Sequence, residues 1–102
     1  MLPYVVRFNS FHVGVQYREI AEILGLPAAS VEEGTTSLIR ALREMNESMG
    51  IPNSISALKI DAAIFRERRD DMARNVVEDI CTGTNPRTPS LDDVRRLLEQ
   101  AW

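Results

Sequence analysis

The sequence predicts an all-α protein. Apolar residues recur at intervals of three and four along most of the 102-residue chain, which is the spacing that places side chains on one face of a helix. No run alternates between apolar and polar residues as a half-buried strand would, and no hairpin signal joins two such runs. Helix-start and helix-stop residues then divide the chain into about five segments. We therefore expect a compact bundle of about five helices.

The first 25 residues predict two short helices. The first covers 2–9 and has a proline near its start, where the missing amide hydrogen costs little. Residues 10–14 include serine and glycine, and they predict a break. The second helix covers 15–24. It stops at Gly25-Leu26-Pro27, because glycine can adopt the left-handed conformation at a helix end and proline prevents continuation.

A longer third helix is predicted from Val31 to Met49. Ser30 and Glu33 have the spacing of a capping box, in which the serine hydroxyl accepts a free backbone N–H and the glutamate reaches back. Residues of its inward stripe alternate in spacing between three and four: Val31, Thr35, Leu38, Leu42, Met45 and Met49. The sequence Gly50-Ile51-Pro52 then repeats the stop signal of the preceding helix.

The second half of the chain predicts a connector and two further helices. Residues 52–60 form the connector, with one short turn at 54–58, and Asp61 caps a helix over 62–80. Its apolar stripe comprises Ile64, Phe65, Met72, Ala73, Val76, Val77 and Ile80. Residues 66–71 carry three arginines and three acids, a balance typical of an exposed face with ion pairs. Ser90 caps the last helix, whose predicted inward residues are Leu91, Val94, Leu97, Leu98 and Trp102.

Composition narrows the class of protein. The length fits a single helical domain, 1–102, and 44% hydrophobic with 26% charged residues is ordinary for a folded chain. A net charge of −3 provides no general positive field for nucleic acid or an anionic membrane surface, so we expect neither partner. One cysteine cannot form an internal disulfide, and no signal peptide or apolar run of spanning length occurs. We therefore expect a cytoplasmic location.

Few residues have the chemistry of a catalytic or metal site. His12 is the only histidine and Cys81 the only cysteine, which argues against a metal site built by this chain alone. Cys81 could be a nucleophile facing a pocket or a buried small apolar residue. A nucleophile needs a nearby base, and His12 is the only histidine that could serve, so we favour the structural interpretation. The five glycines are too widely separated to form a phosphate-binding loop.

Five blocks of sequence, in order, carry a resemblance to a known family. They are Leu2-Pro3-Tyr4-Val5-Val6-Arg7-Phe8-Asn9, Tyr17-Arg18-Glu19-Ile20-Ala21, Gly50-Ile51-Pro52, residues 61–80 and Cys81-Thr82-Gly83-Thr84-Asn85-Pro86-Arg87. Together they resemble the C-terminal helical region of the iron-dependent alcohol dehydrogenases, over nearly the whole chain. Among the subgroups, the chain most resembles aldehyde-alcohol, lactaldehyde and butanol dehydrogenases.

The resemblance implies a function for a longer protein rather than for these residues alone. Such enzymes join an N-terminal α/β domain that binds NAD or NADP to a C-terminal helical domain, with a divalent iron or zinc ion between them. The ion polarises the alcohol oxygen while hydride passes to the nicotinamide. Its ligands, one aspartate and three histidines, precede the block that corresponds to residues 2–9. The resemblance therefore implies no catalytic, metal-ligating or cofactor-binding residue here, and no metal role for His12.

Two site assignments and two functions follow from the resemblance. The position matching Cys81 lies near the substrate cleft in some relatives, so we expect Cys81 to line that cleft; residues 85–87 are expected to form a structural turn. The chain is expected to be either a non-catalytic C-terminal piece of such an oxidoreductase or a stand-alone helical module for interaction or assembly. In both cases apolar surfaces would lack their usual cover. We expect self-association, or binding to the missing part of the parent enzyme.

Overall fold

The structure, a computed structural model that describes all 102 residues, is entirely helical. Its elements in chain order are α1 (Leu2–Ile23), α2 (Val31–Ser48), a 3₁₀ helix (Ser56–Leu58), α3 (Ala62–Glu78), a second 3₁₀ helix (Ile80–Thr84) and α4 (Leu91–Gln100). The all-α class is confirmed, with four α-helices instead of about five. Contacts within the chain group into an N-terminal unit, Met1–Ile51, and a C-terminal unit, Pro52–Trp102. The single domain stays a prediction.

The difference in helix number lies in α1. The break predicted over 10–14 is reduced to one non-helical residue, Val13, with φ −124° and ψ 30°, which kinks a helix that otherwise continues. Ser10 does not interrupt the helix because its hydroxyl donates to the carbonyl of Arg7 at 2.7 Å. Gly14 is buried, and a Cβ there would come within 2.7 Å of Val31 Cγ1. The glycine therefore permits close helix packing and does not mark a loop.

Helices α1 and α2 form an antiparallel hairpin in the N-terminal unit. Arg18 contacts Gly34 near the connecting loop, while Arg7 reaches Thr36 and the Arg43 guanidinium lies over the Tyr4 ring farther along. The buried core of the unit consists of Val6, Leu38 and Ile39, with Tyr17 and Leu42 packed against it. At Gly34 a Cβ would lie 2.7 Å from Arg18 Cα, so only glycine permits this approach of the two backbones.

The helix ends agree closely with the stop and start signals in the sequence. Gly25 and Gly50 both have φ of +69°, as predicted for left-handed C-cap residues. Asp61 accepts hydrogen bonds from Ala63 N at 2.7 Å and Ile64 N at 3.2 Å, which confirms it as the cap of α3. Ser30 accepts from Glu33 N at 3.1 Å. The second bond of the predicted capping box has a different donor, because the Glu33 carboxylate accepts from Ala29 N at 2.6 Å and not from Ser30 N.

The C-terminal unit has a small core. Its buried residues are Phe65 and Ala73 of α3 with Val94 and Leu98 of α4, and partly buried Ile55, Leu91 and Trp102 pack against them. The Phe65 and Trp102 rings stack with centroids 4.3 Å apart. The start and end of the unit are also joined, because Ile55 N donates to Ala101 O at 2.7 Å. Helix α4 thus packs against α3 through residues of the stripe predicted for it, chiefly Val94 and Leu98.

Ion pairs connect α3 to α4. Arg95 Nε lies 3.1 Å from Asp70 Oδ1, and Arg69 pairs with Glu99. The charged run at 66–71 therefore does more than provide a solvated face, since two of its members contact the neighbouring helix. Arg95 also pairs with Asp92 at 2.8 Å within α4.

Part of the apolar stripe predicted for the helix over 31–49, and part of the stripe predicted over 62–80, lies on the surface. On α3 only Phe65 and Ala73 of the stripe are buried, and both Met45 of α2 and Met49 at its C-cap are exposed. Ile80, which was predicted as the last residue of its stripe but lies beyond the end of α3, is 89% exposed. Ile23, at the end of α1 and outside the predicted stripes, is 84% exposed. None of the helices combines the length and apolar character needed to cross a membrane.

Candidate functional site

The segment between α3 and α4 holds the one residue assigned to a site from the sequence, Cys81. Helix α3 ends at Glu78, two residues before the predicted end, because Asp79 adopts an extended conformation with φ −66° and ψ 130°. The Asp79 carboxylate accepts a hydrogen bond from Cys81 N at 2.7 Å and caps the 3₁₀ helix. The aspartate therefore ends one helix and starts the next, which fixes the backbone at Cys81.

The hydroxyl groups of this segment bond to its own backbone. Thr82 Oγ1 donates to Val76 O at 2.5 Å, and Thr84 Oγ1 donates to Cys81 O at 2.8 Å. Asn85 N donates to Thr82 O at 3.1 Å. These bonds satisfy carbonyls at the end of α3 and in the 3₁₀ helix that have no ordinary helical partner. The threonines are thereby explained as structural residues.

Residues 85–87 form the structural turn that the sequence predicts. The Asn85 side-chain amide donates to Arg87 O, and Arg87 Nη2 lies 3.9 Å from Asp93 Oδ1 in the first turn of α4. Hydrogen bonds from the Ser90 backbone and hydroxyl, and then from Arg96, with the charge of Arg87, hold the pKa of Asp93 below its ordinary value of 3.8. Arg87 thus supports the start of a helix.

Cys81 itself is exposed and is not in a disulfide. The interpretation favoured from the sequence, a buried small apolar residue, is therefore wrong as to burial. His12 is exposed on α1 in the N-terminal unit, and the C-terminal unit contains no histidine of its own. Within its unit the cysteine thus lacks the histidine base that a thiol nucleophile commonly uses. Its assignment as a cleft-lining residue stays a prediction.

The chain's own residues do not fit the metal that the resemblance implies. No three side chains among His, Cys, Asp and Glu are placed to hold an ion together. The acids at helix starts have structural partners: Glu33 bonds to Ala29 N, and Asp93 accepts from Ser90 N at 3.0 Å in a complete capping box. No step of a metal-assisted reaction is assigned to these residues.

A second feature, which the sequence did not predict, is a cleft on the N-terminal hairpin. It has a volume of about 250 Å³ and is lined by Pro3, Tyr4, Arg7, Thr36, Ile39, Arg40 and Arg43. We call it the arginine cleft. Arg40 and Arg43 are one helical turn apart on α2, a spacing visible in the sequence, but Arg7 comes from α1 and joins them only through the hairpin.

Comparison with known proteins gives the family. The model of the C-terminal region of the Fe-containing alcohol dehydrogenase family matches residues 1–102. The chain belongs to this family. The resemblance seen in the five sequence blocks is thereby confirmed, and so is the helical character that it implied for this region.

Individual relatives are longer enzymes. The chain is 32% identical to the aldehyde-alcohol dehydrogenase of Streptococcus pneumoniae, with all of this chain aligned to 13% of the relative. It is 33% identical to the lactaldehyde reductase of Escherichia coli, with all of the chain aligned to 26% of that enzyme. With the NADPH-dependent butanol dehydrogenase of Clostridium saccharobutylicum the identity is 34%, over 96% of the chain and 25% of the enzyme. The chain thus spans about a quarter or less of these relatives.

Proposed function

We propose that this chain supplies the C-terminal helical part of an iron-dependent alcohol dehydrogenase-like oxidoreductase. The reaction of the whole enzyme would be NAD(P)-dependent, metal-assisted interconversion of an alcohol and an aldehyde. The observation that carries this proposal is the family match over all 102 residues, combined with coverage of 13–26% of the relatives. In this proposal the chain is not catalytic alone, and the metal ion, NAD(P) and their binding residues belong to the remainder of the enzyme.

Cys81 is the proposed contribution of the chain to the substrate cleft. Its exposure leaves the thiol accessible, and the Asp79 cap and the Thr84 bond hold its backbone in place. A small apolar side chain held in this way could border an alcohol substrate without taking part in hydride transfer. We therefore propose a lining role for Cys81 and no catalytic role.

Exposed apolar side chains support docking onto a further protein surface. On α3, Ile64, Met72 and Val76 are exposed, as are Ile80 at the start of the following 3₁₀ helix and Ile23 at the end of α1. Where exposed apolar residues form a contiguous surface, that surface commonly marks an interaction site. In the proposed function the rest of the enzyme covers it, inside the cytoplasm; without that cover the chain would self-associate.

A chimeric enzyme tests the proposal. The chain would replace the aligned C-terminal 26% of the Escherichia coli lactaldehyde reductase, and NAD(P)H oxidation would be followed with aldehydes and ferrous iron. We expect activity from the chimera and none from the isolated chain. Iron content and circular dichroism of the chimera would establish that it folds and loads metal. A folded, iron-loaded but inactive chimera would contradict the proposal, as would micromolar NAD(P) or iron binding by the isolated chain in calorimetry.

A substitution in the same chimera tests the role of Cys81. Cys81→Ala should alter KM for bulky aldehydes and leave kcat nearly unchanged, because a lining residue contributes to binding in the ground state and transition state alike. Thr88→Ala is the matched control, since Thr88 is an exposed residue of the same connecting segment. If the Cys81→Ala and Thr88→Ala variants had equal kinetics, Cys81 would not line the cleft. A large decrease in kcat alone would mean that Cys81 takes part in the chemical step.

The second candidate function is a stand-alone helical module for interaction or assembly. The exposed apolar residues on α1 and α3 favour it as well, because they could be covered by a second copy of the chain. Light scattering across micromolar concentrations distinguishes the two functions when combined with the chimera. Stable, defined oligomers together with an inactive chimera would favour the module, and a monomer at every concentration would count against it.

A further inference from the structure

The arginine cleft concentrates positive charge on a chain whose net charge is −3. Three of its seven lining residues are arginines, and none is an acid. Neither Arg7 nor Arg40 forms an ion pair, although other arginines of the chain do, among them Arg18, Arg69 and Arg95. Because arginine is always protonated, two guanidinium groups at this cleft keep positive charge that no carboxylate neutralises.

The cleft is held in shape by contacts between α1 and α2. Arg7 Nη2 lies 3.4 Å from Thr36 Oγ1, and the Arg43 guanidinium carbon lies 5.6 Å from the centre of the Tyr4 ring. Pro3 and Ile39 provide apolar walls, both of them buried. Arg7 and Arg43 therefore reach the cleft in oriented positions beside a partly apolar wall, where their guanidinium groups can form charge-assisted hydrogen bonds with an anion.

Acidic residues lie beside the cleft without entering it. Glu32 and Glu33 line a neighbouring cleft that shares Thr36 and Arg40 with this one. Glu33 is already engaged as the acceptor of Ala29 N at 2.6 Å. Arg40 therefore borders both clefts, whereas Arg7 and Arg43 line only the arginine cleft.

We propose that the arginine cleft binds a phosphate group. The guanidinium groups that line the cleft offer more N–H donors than the two oxygens of a carboxylate can accept. A phosphate has a double negative charge and enough oxygen atoms to accept from several arginines at once. A volume of about 250 Å³ admits the group, either as the free ion or as a small phosphate monoester. This site is independent of the proposed oxidoreductase function.

Titration of the purified chain with inorganic phosphate tests the site. The measurement is calorimetry or amide chemical shifts at constant ionic strength, with chloride as the comparison anion and glycerol phosphate as the monoester. We expect a dissociation constant on the order of 1 mM, the weak end of the affinity scale, as suits an open site. Shifts should centre on the start of α1 and the middle of α2, which line the cleft. Tighter binding of glycerol phosphate would identify a phosphate monoester as the ligand. Tighter binding of inorganic phosphate would identify the free ion.

Charge-removing variants make the test specific. Arg7→Gln and Arg40→Gln should each weaken phosphate binding by about tenfold, since each removes charge-assisted hydrogen bonds. The matched control is Arg66→Gln with Arg68→Gln, which removes two arginines from the exposed face of α3. Circular dichroism would establish that each variant is folded. Absence of saturable phosphate binding, or an equal loss in the control, would overturn the proposal.

Discussion

The N-terminal and C-terminal units are both built around two helices, but they are stabilised differently. In the N-terminal hairpin the two helix backbones approach closely at Gly34, where a Cβ would lie 2.7 Å from Arg18 Cα, and at Gly14 a Cβ would lie 2.7 Å from the Val31 side chain. In the C-terminal unit, one aromatic stack and ion pairs between α3 and α4 hold a smaller buried core. The first unit therefore depends on steric fit, and the second on a few large side chains and on charge.

The largest effect is expected at the aromatic stack. Phe65→Ala removes a buried ring that packs on Trp102 and leaves a cavity in the core of the C-terminal unit. Substitutions of this kind cost about 3–5 kcal/mol of unfolding free energy. Trp102 is the only tryptophan, so its fluorescence during denaturant unfolding reports on this unit.

Ile64→Ala is the control for the aromatic stack. Ile64 precedes Phe65 on α3 and is 55% exposed, so its truncation should change stability by less than about 0.5 kcal/mol. If both variants lost the same free energy, the stack would not be the main support of the unit, and the contrast with the N-terminal hairpin would disappear.

A smaller loss is expected from a methyl group at the helix contact of the N-terminal unit. Gly34→Ala places a Cβ 2.7 Å from Arg18 Cα, a backbone atom that can move only if the helices separate. Overpacking of this kind costs about 1–3 kcal/mol, in spite of the better helix propensity of alanine. Amide hydrogen exchange in α1 and α2 would measure the loss. Gly83→Ala is the matched control, because nothing lies within 4 Å of its added Cβ, and comparable losses would refute steric fit as the cause.

Two buried hydroxyl groups on α2 allow the effects of packing and of hydrogen bonding in the hairpin to be measured separately. Thr35 is 2% exposed and its Oγ1 has no hydrogen-bond partner, whereas Ser37 Oγ donates to Pro27 O at 2.6 Å. Thr35→Val should stabilise the unit by about 1 kcal/mol, because it removes an unsatisfied polar atom and keeps the shape. Ser37→Ala should cost about 1 kcal/mol by losing a satisfied bond. Denaturant midpoints would show opposite signs, and a loss in both variants would reveal a partner for Thr35.

The sequence predicted the helix ends better than the helix faces. Gly25, Gly50, Asp61 and Ser90 act where they were expected, because caps depend on residues a few positions apart. The break at 10–14 was largely wrong, since Gly14 serves a contact with Val31 that is distant in sequence. Local signals cannot distinguish a glycine that ends a helix from one that admits a neighbouring helix.

The candidate sites show the same limit. The turn after α3 and its cysteine were recognised from a contiguous motif, and the turn geometry agrees with that interpretation. The exposure of Cys81 was not predicted, because burial depends on which helices pack around it. The arginine cleft was missed since its members become neighbours only when α1 folds onto α2. Chemistry assembled from two helices is visible only once their pairing is known.

The smallest expected effect concerns charge in the C-terminal unit. Hydrogen bonds from Arg95 lower the pKa of Asp70, and hydrogen bonds from Ser90 lower that of Asp93, in each case from an ordinary value of 3.8. A lowered folded-state pKa adds stability that is present above the unfolded-state pKa and is lost as pH falls through the folded-state value. The denaturant midpoint followed by Trp102 fluorescence should therefore decrease as the pH is lowered from roughly 5 to 3. The double variant Asp70→Asn with Asp93→Asn should weaken the dependence of the midpoint on pH. The control is Asp71→Asn with Asp92→Asn, which removes the same charge from the same helices and should retain more of that dependence. If the midpoint of the first double variant depended on pH as steeply as that of the unsubstituted chain, these two carboxylates would not stabilise the C-terminal unit. The aromatic stack would then be the main difference in stabilisation between this unit and the hairpin.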